Sequence, residues 1–189
     1  RVGGRVHAVR ARKGVVLAAS CIQTPLLLRA SAVRGPRVGQ GFCAHPGASV
    51  LGLFDAPVRT APIFGATQGY DVICPADRGR YKIEQLNLPD DLVATRFPGV
   101  GGAFAAALDD LPRAAVWAVQ VRALARGAVG GSQDLPVVSY HLTPGDERTL
   151  GRALWVIAEM LFAAGAREVL PGVVGLVPRA RSMDDLAGI

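Results

Sequence analysis

The sequence predicts an α+β fold: a strand and helix near the start of the chain, then an antiparallel sheet covered by helices. Three observations carry that expectation. Val15–Ala19 is an unbroken apolar run followed by a helical pattern, which suits a parallel strand buried on both faces. Between residues 48 and 142 come short alternating runs separated by turn residues, as in an antiparallel sheet with one face covered. Thr143 and Asp146 then open the longest amphipathic pattern in the chain.

In chain order, Val15, Val16, Leu17, Ala18 and Ala19 form the first expected strand. Thr24 reads as an N-cap and Pro25 as the first helical residue, where its missing N–H costs nothing and its fixed φ favours the first turn. Ala48–Phe54 and Thr67–Ile73 read as short strands ending at Asp55-Ala56-Pro57 and near Pro75. In Tyr81–Leu88 the face carrying Tyr81, Ile83, Gln85 and Asn87 turns from apolar to polar, as at the edge of a cavity. Ala115–Ala123 alternates more clearly, with Trp117, Val119 and Val121 on one side. Pro136–Leu142 supplies a fifth strand, while Ala61–Ala66 and Val129–Gln133 are loop-like. The covering helix has Thr143 and Asp146 at capping-box spacing, Pro144 at its first position and Gly165 as its stop. Leu150, Leu154, Ile157, Leu161 and Phe162 share one stripe of it, and burying each contributes roughly 1.5–3 kcal/mol, so the stripe is packing and not chemistry. Ala166–Gly172 reads as an exit strand and Ser182–Ile189 as a short helix.

Composition excludes several classes of function. Half of the 189 residues are hydrophobic and 19% are charged, a globular balance. The apolar stretch Ala153–Ala164 is interrupted by Glu159 and falls short of the ~20 residues that span a bilayer. The net charge of +6 is almost all arginine, but the densest group, Arg5, Arg10, Arg12 and Lys13, has no interleaved aromatic residue for base stacking, so no nucleic-acid partner is expected. Cys21, Cys43 and Cys74 are odd in number, lack CxxC spacing and follow no secretory leader, which fits reduced thiols in a cytoplasmic protein. Cys43 and His45 alone do not make a closed metal shell. The chain begins at Arg1 with no methionine and reads as cut from something longer.

Two glycine-rich stretches are loops on this reading. Gly39, Gly41 and Ala44 satisfy G-x-G-x-x-A, but no apolar strand precedes them and His45-Pro46-Gly47 stands where a helix should begin. Gly99-Val100-Gly101-Gly102 leads into an apparent helix, Ala103–Leu108, but Phe104 takes the sixth position and Pro98 breaks the preceding element. Ligands approach open α/β sheets at the carboxyl ends of strands. There Ala18, Ala19, Ser20 and Cys21 have side chains small enough to admit a ribose or pyrophosphate.

The same segment resembles a signature of the glucose-methanol-choline (GMC) oxidoreductases. Thr24, Pro25, Leu27, Leu28 and Ser31 match that family's TPxLLxxS helix, and Val38, Gly39, His45 and Pro46 match its VGxxxxxHP element. Ser20 replaces a family glycine, Cys21 stands where a small residue is preferred, and Ala32 and Arg34 occupy glycine positions after the serine. The turn Arg96–Gly101, the strand AVWAVQVRA and FAAGAREVLPG extend the likeness over nearly the whole chain, towards bacterial members acting on long-chain or other hydrophobic alcohols.

The resemblance implies the end of a Rossmann-like FAD-binding domain at 1–46, a substrate-binding domain at 47–165 and a return segment at 166–189. It implies FAD as cofactor, approached by Ala18, Ala19, Ser20 and Cys21, and a hydrophobic small-molecule alcohol as substrate. Family members take the hydroxyl proton with a histidine in an HxxGTxRMG-like motif, which is absent from these 189 residues, so no catalytic residue is assigned and the chain alone is expected to be inactive. His45 is expected to be a packed, hydrogen-bonded histidine, and His7 and His141 to be surface or sheet positions. The alternative reading is a non-catalytic α+β ligand-binding module derived from such an enzyme.

Overall fold

The computed structural model describes residues 7–58, 67–73 and 79–188, with only the backbone path for 67–73. The chain forms two compact units, Arg1–Cys43 with Arg126–His141, and Ala44–Ala125 with Leu142–Ile189. Residues 126–141 return to the first unit and the C-terminal segment closes on the second.

The first unit holds helix α1 (Ser20–Ala30) and a three-stranded antiparallel sheet of β1 (Gln40–Phe42), β6 (Gly127–Gly131) and β7 (Pro136–Ser139), in the order β1-β6-β7. Leu26 of α1 is buried. Two expectations fail here. Val15–Ala19 is not a strand; Val15 and Val16 are 77% and 91% exposed. A strand needs neighbouring strands to take its N–H and C=O groups, and among the described residues no strand pairs with this run. Val129–Gln133 is largely strand, because Ala128, Val129, Gly130 and Gly131 pair with Ser139, Val138, Val137 and Pro136, although glycines mask the alternation.

The second unit is built on a five-stranded antiparallel sheet, ordered β3-β4-β5-β2-β8. Its strands are β2 (Gly47–Leu53), β3 (Thr67–Ile73), β4 (Tyr81–Asn87), β5 (Ala114–Val121) and β8 (Glu168–Leu170). The fifth strand is therefore β8, and Pro136–Ser139 belongs to the small sheet. Helix α4 (Pro144–Ala163) lies on one face, where Leu154, Ile157 and Leu161 pack with Val50, Ile83, Val119 and Val121. On the opposite face, Leu51, Leu53, Val116 and Leu88 pack against Val93 of α2 (Asp90–Ala94), Phe97 and Ala107 of α3 (Gly101–Ala107). The stripe expected on α4 is thus core, while Arg148, Arg152 and Glu159 are exposed.

The ends of α4 follow the sequence closely. Thr143 Oγ1 accepts the Asp146 amide at 3.1 Å, and Asp146 accepts the Thr143 amide at 3.2 Å. Asp146 also accepts the Thr143 hydroxyl at 2.8 Å and the amides of Leu124 and Ala125 at 2.9 and 3.0 Å, so one carboxylate ties the helix start to the segment after β5. The Leu124 amide does most to lower its pKa from 3.8 to about 2; burial opposes this, and the Thr143 and Ala125 donors add to it. At the far end Gly165, with φ 93°, donates to Phe162, and Ala166 donates to Leu161. The C-terminal segment is held by Ala180, paired with Val169, and by ion pairs from Arg179 and Arg181 to Glu168. Burial would raise the Glu168 carboxyl, but those two arginines bring it below its ordinary value. The short helix expected over Ser182–Ile189 is a single 3₁₀ turn, Asp184–Leu186.

Candidate functional site

Helix α1 starts four residues before the expected cap. Ser20, at φ 68°, is outside the helical region, and its Oγ accepts the Ile22 and Gln23 amides at 3.3 and 3.4 Å, so Ser20 does the work expected of Thr24. The Thr24 hydroxyl oxygen instead accepts the Ala19 amide at 3.2 Å. Pro25 falls inside the helix and has no N–H for the Cys21 carbonyl. A longer helix wins because a local serine hydroxyl satisfies its first N–H groups.

That start forms one wall of an open cleft of about 930 Å³ within the first unit. Ser20, Cys21, Thr24, Pro25 and Leu28 line the helix side, and the 35–43 segment with Val129 lines the other. Of the four residues named from the sequence, Ser20 and Cys21 line the cleft, while Ala18 and Ala19 do not. The thiols of Cys21 and Cys43 are both free and exposed, and Cys43 Sγ donates to the Gly41 carbonyl at 3.3 Å. Gly39, at φ 80°, holds the far wall close: a Cβ there would strike the Val129 carbonyl and the Arg29 guanidinium. The stretch Gly39–Ala44 is a turn and the short strand β1, without the helix a dinucleotide fingerprint requires.

The positive φ of Ser20 has a counterpart. Among the described residues, Ser20 and Ala32 (φ 59°) are the non-glycine residues at positive φ. Both stand where the resemblance places glycine. Glycine reaches that conformation without a Cβ clash, so the backbone path explains what the sequence pattern asks for there.

In the second unit, the sheet face away from α4 is divided. Its Leu51–Val116–Leu86 row belongs to the apolar cluster, whereas the next row is Ser49–Ala118–Glu84, with Gln120 and Lys82 beyond it. Glu84 is 1% exposed and paired with the Lys82 ammonium, and Ser49 Oγ is buried without a hydrogen-bond partner among the described residues. On the α4 face, the turn from apolar to polar in β4 is seen as Tyr81 and Ile83 buried and Gln85 and Asn87 half-buried, the Gln85 amide donating to Asn87 at 3.2 Å.

The histidines carry no chemistry visible in this geometry. His45 is exposed and makes no side-chain hydrogen bond to a described residue, contrary to a packed position; His7 and His141 are also exposed. Among the described residues no group of three or more His, Cys, Asp or Glu side chains could hold a metal ion, and no helix is long and apolar enough to cross a membrane.

The sequence is similar to curated proteins named as oxidoreductases. Two curated sequences from strains of Mycobacterium tuberculosis, each an uncharacterized GMC-type oxidoreductase, are 34% identical over 198 residues, covering 98% of this chain and 31% of the relative. A further uncharacterized GMC-type oxidoreductase, from Sinorhizobium fredii, is 31% identical over 188 residues, covering 92% of this chain and 34% of its own length. The chain belongs to the GMC-type oxidoreductase family, and it spans about a third of the length of the curated relatives it matches. No family model and no solved structure matches it significantly.

Proposed function

We propose that the chain is the part of an FAD-dependent alcohol oxidoreductase that contributes one wall of the flavin site and the sheet of the substrate domain. Family membership supports the reaction class, and the observation that carries the cofactor assignment is the cleft at the start of α1, with Ser20 and Cys21 on its lip. The cleft suits part of FAD: it is largely apolar, roomy enough for an adenosine, and narrowed by glycine backbone where bulk would intrude. Bound FAD would supply a hydride acceptor for the alcohol carbon. Cys21 and Ser20 would flank the ribose end, and the Gly39–Phe42 segment would close the opposite side. Val15–Ala19, apolar and unpaired, would join a parallel Rossmann-like sheet supplied by the rest of the enzyme. The divided sheet face of the second unit would lie towards the substrate, a hydrophobic alcohol, with the polar Ser49–Glu84 row beneath its polar end.

The test is the complete enzyme carrying Cys21→Trp. The indole would fill the cleft lip, so the variant should leave gel filtration with most of its flavin absorbance lost, while Cys21→Ser keeps it. Full flavin retention by the tryptophan variant would refute the assignment. Alcohol-dependent reduction of an artificial acceptor, present in the parent enzyme, separates the enzyme from a ligand-binding module.

A further inference from the structure

The net positive charge of the protein is confined to one unit. The first unit has nine lysines and arginines against a single carboxylate, Asp134, a net +8 in 59 residues; the second has twelve against fourteen, a net −2. Within the first unit a second pocket of about 440 Å³ lies beside the last turn of α1, lined by Arg29 and Arg34 together with Gly35, Pro36, Val38 and Gln40, which it shares with the cleft. Among the described residues no carboxylate lines it, and neither Arg29 nor Arg34 is in an ion pair.

We propose that this pocket, which adjoins the flavin cleft and differs from it in its two arginines, is a second ligand site that binds a phosphate-type anion between Arg29 and Arg34. Arg29 is half-buried and fixed: its Nη2 donates to the Val38 carbonyl at 2.8 Å, and Gly39 leaves room for the guanidinium against the turn. One of its five N–H donors is used in that bond. The others make no hydrogen bond to a described residue, which leaves a planar fork of the kind that takes two phosphate oxygens. Arg34 and the Gln40 amide supply further donors on the same lining. A role confined to tying the loop to α1 would account for the Val38 bond but not for a second unpaired arginine in the same carboxylate-free pocket.

The helix end works less against an anion than its position suggests. A C-terminus carries partial negative charge. Here the Leu27, Leu28 and Arg29 carbonyls are taken by the amides of Ser31, Ala32 and Val33, and the unit's net charge draws anions in. A phosphate monoester or inorganic phosphate fits this chemistry; a monovalent halide uses only the charge.

Titration calorimetry of the protein with inorganic phosphate, against chloride at matched ionic strength, tests the proposal, with FAD present and absent. Saturable phosphate binding is expected. Arg34→Gln should weaken it by roughly tenfold, the effect of losing a charged hydrogen-bond donor. The exposed Arg34 side chain makes no described hydrogen bond, so its loss should leave the unfolding temperature in chloride unchanged. Arg10→Gln, in the same unit but outside the pocket, should bind phosphate as the parent does. Equal heats for phosphate and chloride, equal weakening by Arg10→Gln, or displacement of phosphate by FAD would each overturn the second site.

Discussion

Ala32→Gly should make the protein more stable, against the usual cost of introducing glycine. Helices α1 and α4 end in the same hydrogen-bonded motif. At α1 the Val33 amide donates to Leu28 at 2.9 Å and the Ala32 amide to Arg29 at 3.0 Å; at α4 Ala166 donates to Leu161 and Gly165 to Phe162, both at 2.9 Å. The turning residue is glycine in α4 and alanine, at φ 59°, in α1. A Cβ in that left-handed conformation costs about 1–2 kcal/mol, and glycine gives back about 0.5–1 kcal/mol through the freedom it adds to the unfolded chain. The net gain is centred on about 0.75 kcal/mol and reaches at most about 1.5 kcal/mol, the central value being worth about 1.5–3 °C in a chain of this size. Urea and thermal unfolding read the global change, and hydrogen exchange at the Val33 amide should slow with it. Ala30→Gly, two residues earlier in regular helix, is the control; it should lose about 0.5–1 kcal/mol. If Ala32→Gly destabilises as Ala30→Gly does, the positive φ at residue 32 is wrong and the account of the glycine pattern in this family falls with it.

Other outcomes follow from the second unit. Ile157 is fully buried between α4 and the sheet, so Ile157→Ala should cost about 2–5 kcal/mol; a urea-midpoint shift worth less than about 1 kcal/mol would mean that α4 is not seated as described. The depressed Asp146 pKa means the carboxylate stabilises the fold fully above its ordinary 3.8 and loses that effect as pH falls towards about 2. Asp146→Asn should therefore be less stable than the parent at neutral pH and show a flatter acid-stability curve between those values. Parallel curves for the two proteins would show that Asp146 does not carry the titration.

How much of this was legible in the sequence depends on whether the cause of each element lay inside it. The α4 helix was readable because its cap, its proline and its glycine are local and its stripe meets a sheet made by this chain. Strand β6 was not: Gly127, Gly130 and Gly131 hide alternation, and its pairing to Gln40 and Phe42 comes from more than 80 residues away. The start of α1 was misplaced because Thr24-Pro25 is a strong local signal, yet Ser20 satisfies the first amides one turn earlier.

Val15–Ala19 poses the opposite case, a strong pattern with no observed strand, and it bears most directly on the cofactor reading. Four apolar residues left exposed, Val15–Ala18, oppose solubility unless another surface takes them up. Their burial in a parallel sheet would also hold residues 18–21 at that sheet's edge, turning two lip residues of an open cleft into a continuous floor for a ribose. The same segment would therefore supply both the missing hydrophobic burial and the missing half of the site, because the strand and the start of α1 are joined at Ala19–Ser20 with no linker to absorb movement. On this argument flavin affinity and protection of the Val15–Ala19 amides must rise together in the complete enzyme. A complete enzyme with tightly bound flavin and freely exchanging amides at Val15 and Val16 would break the link between the strand and the cleft.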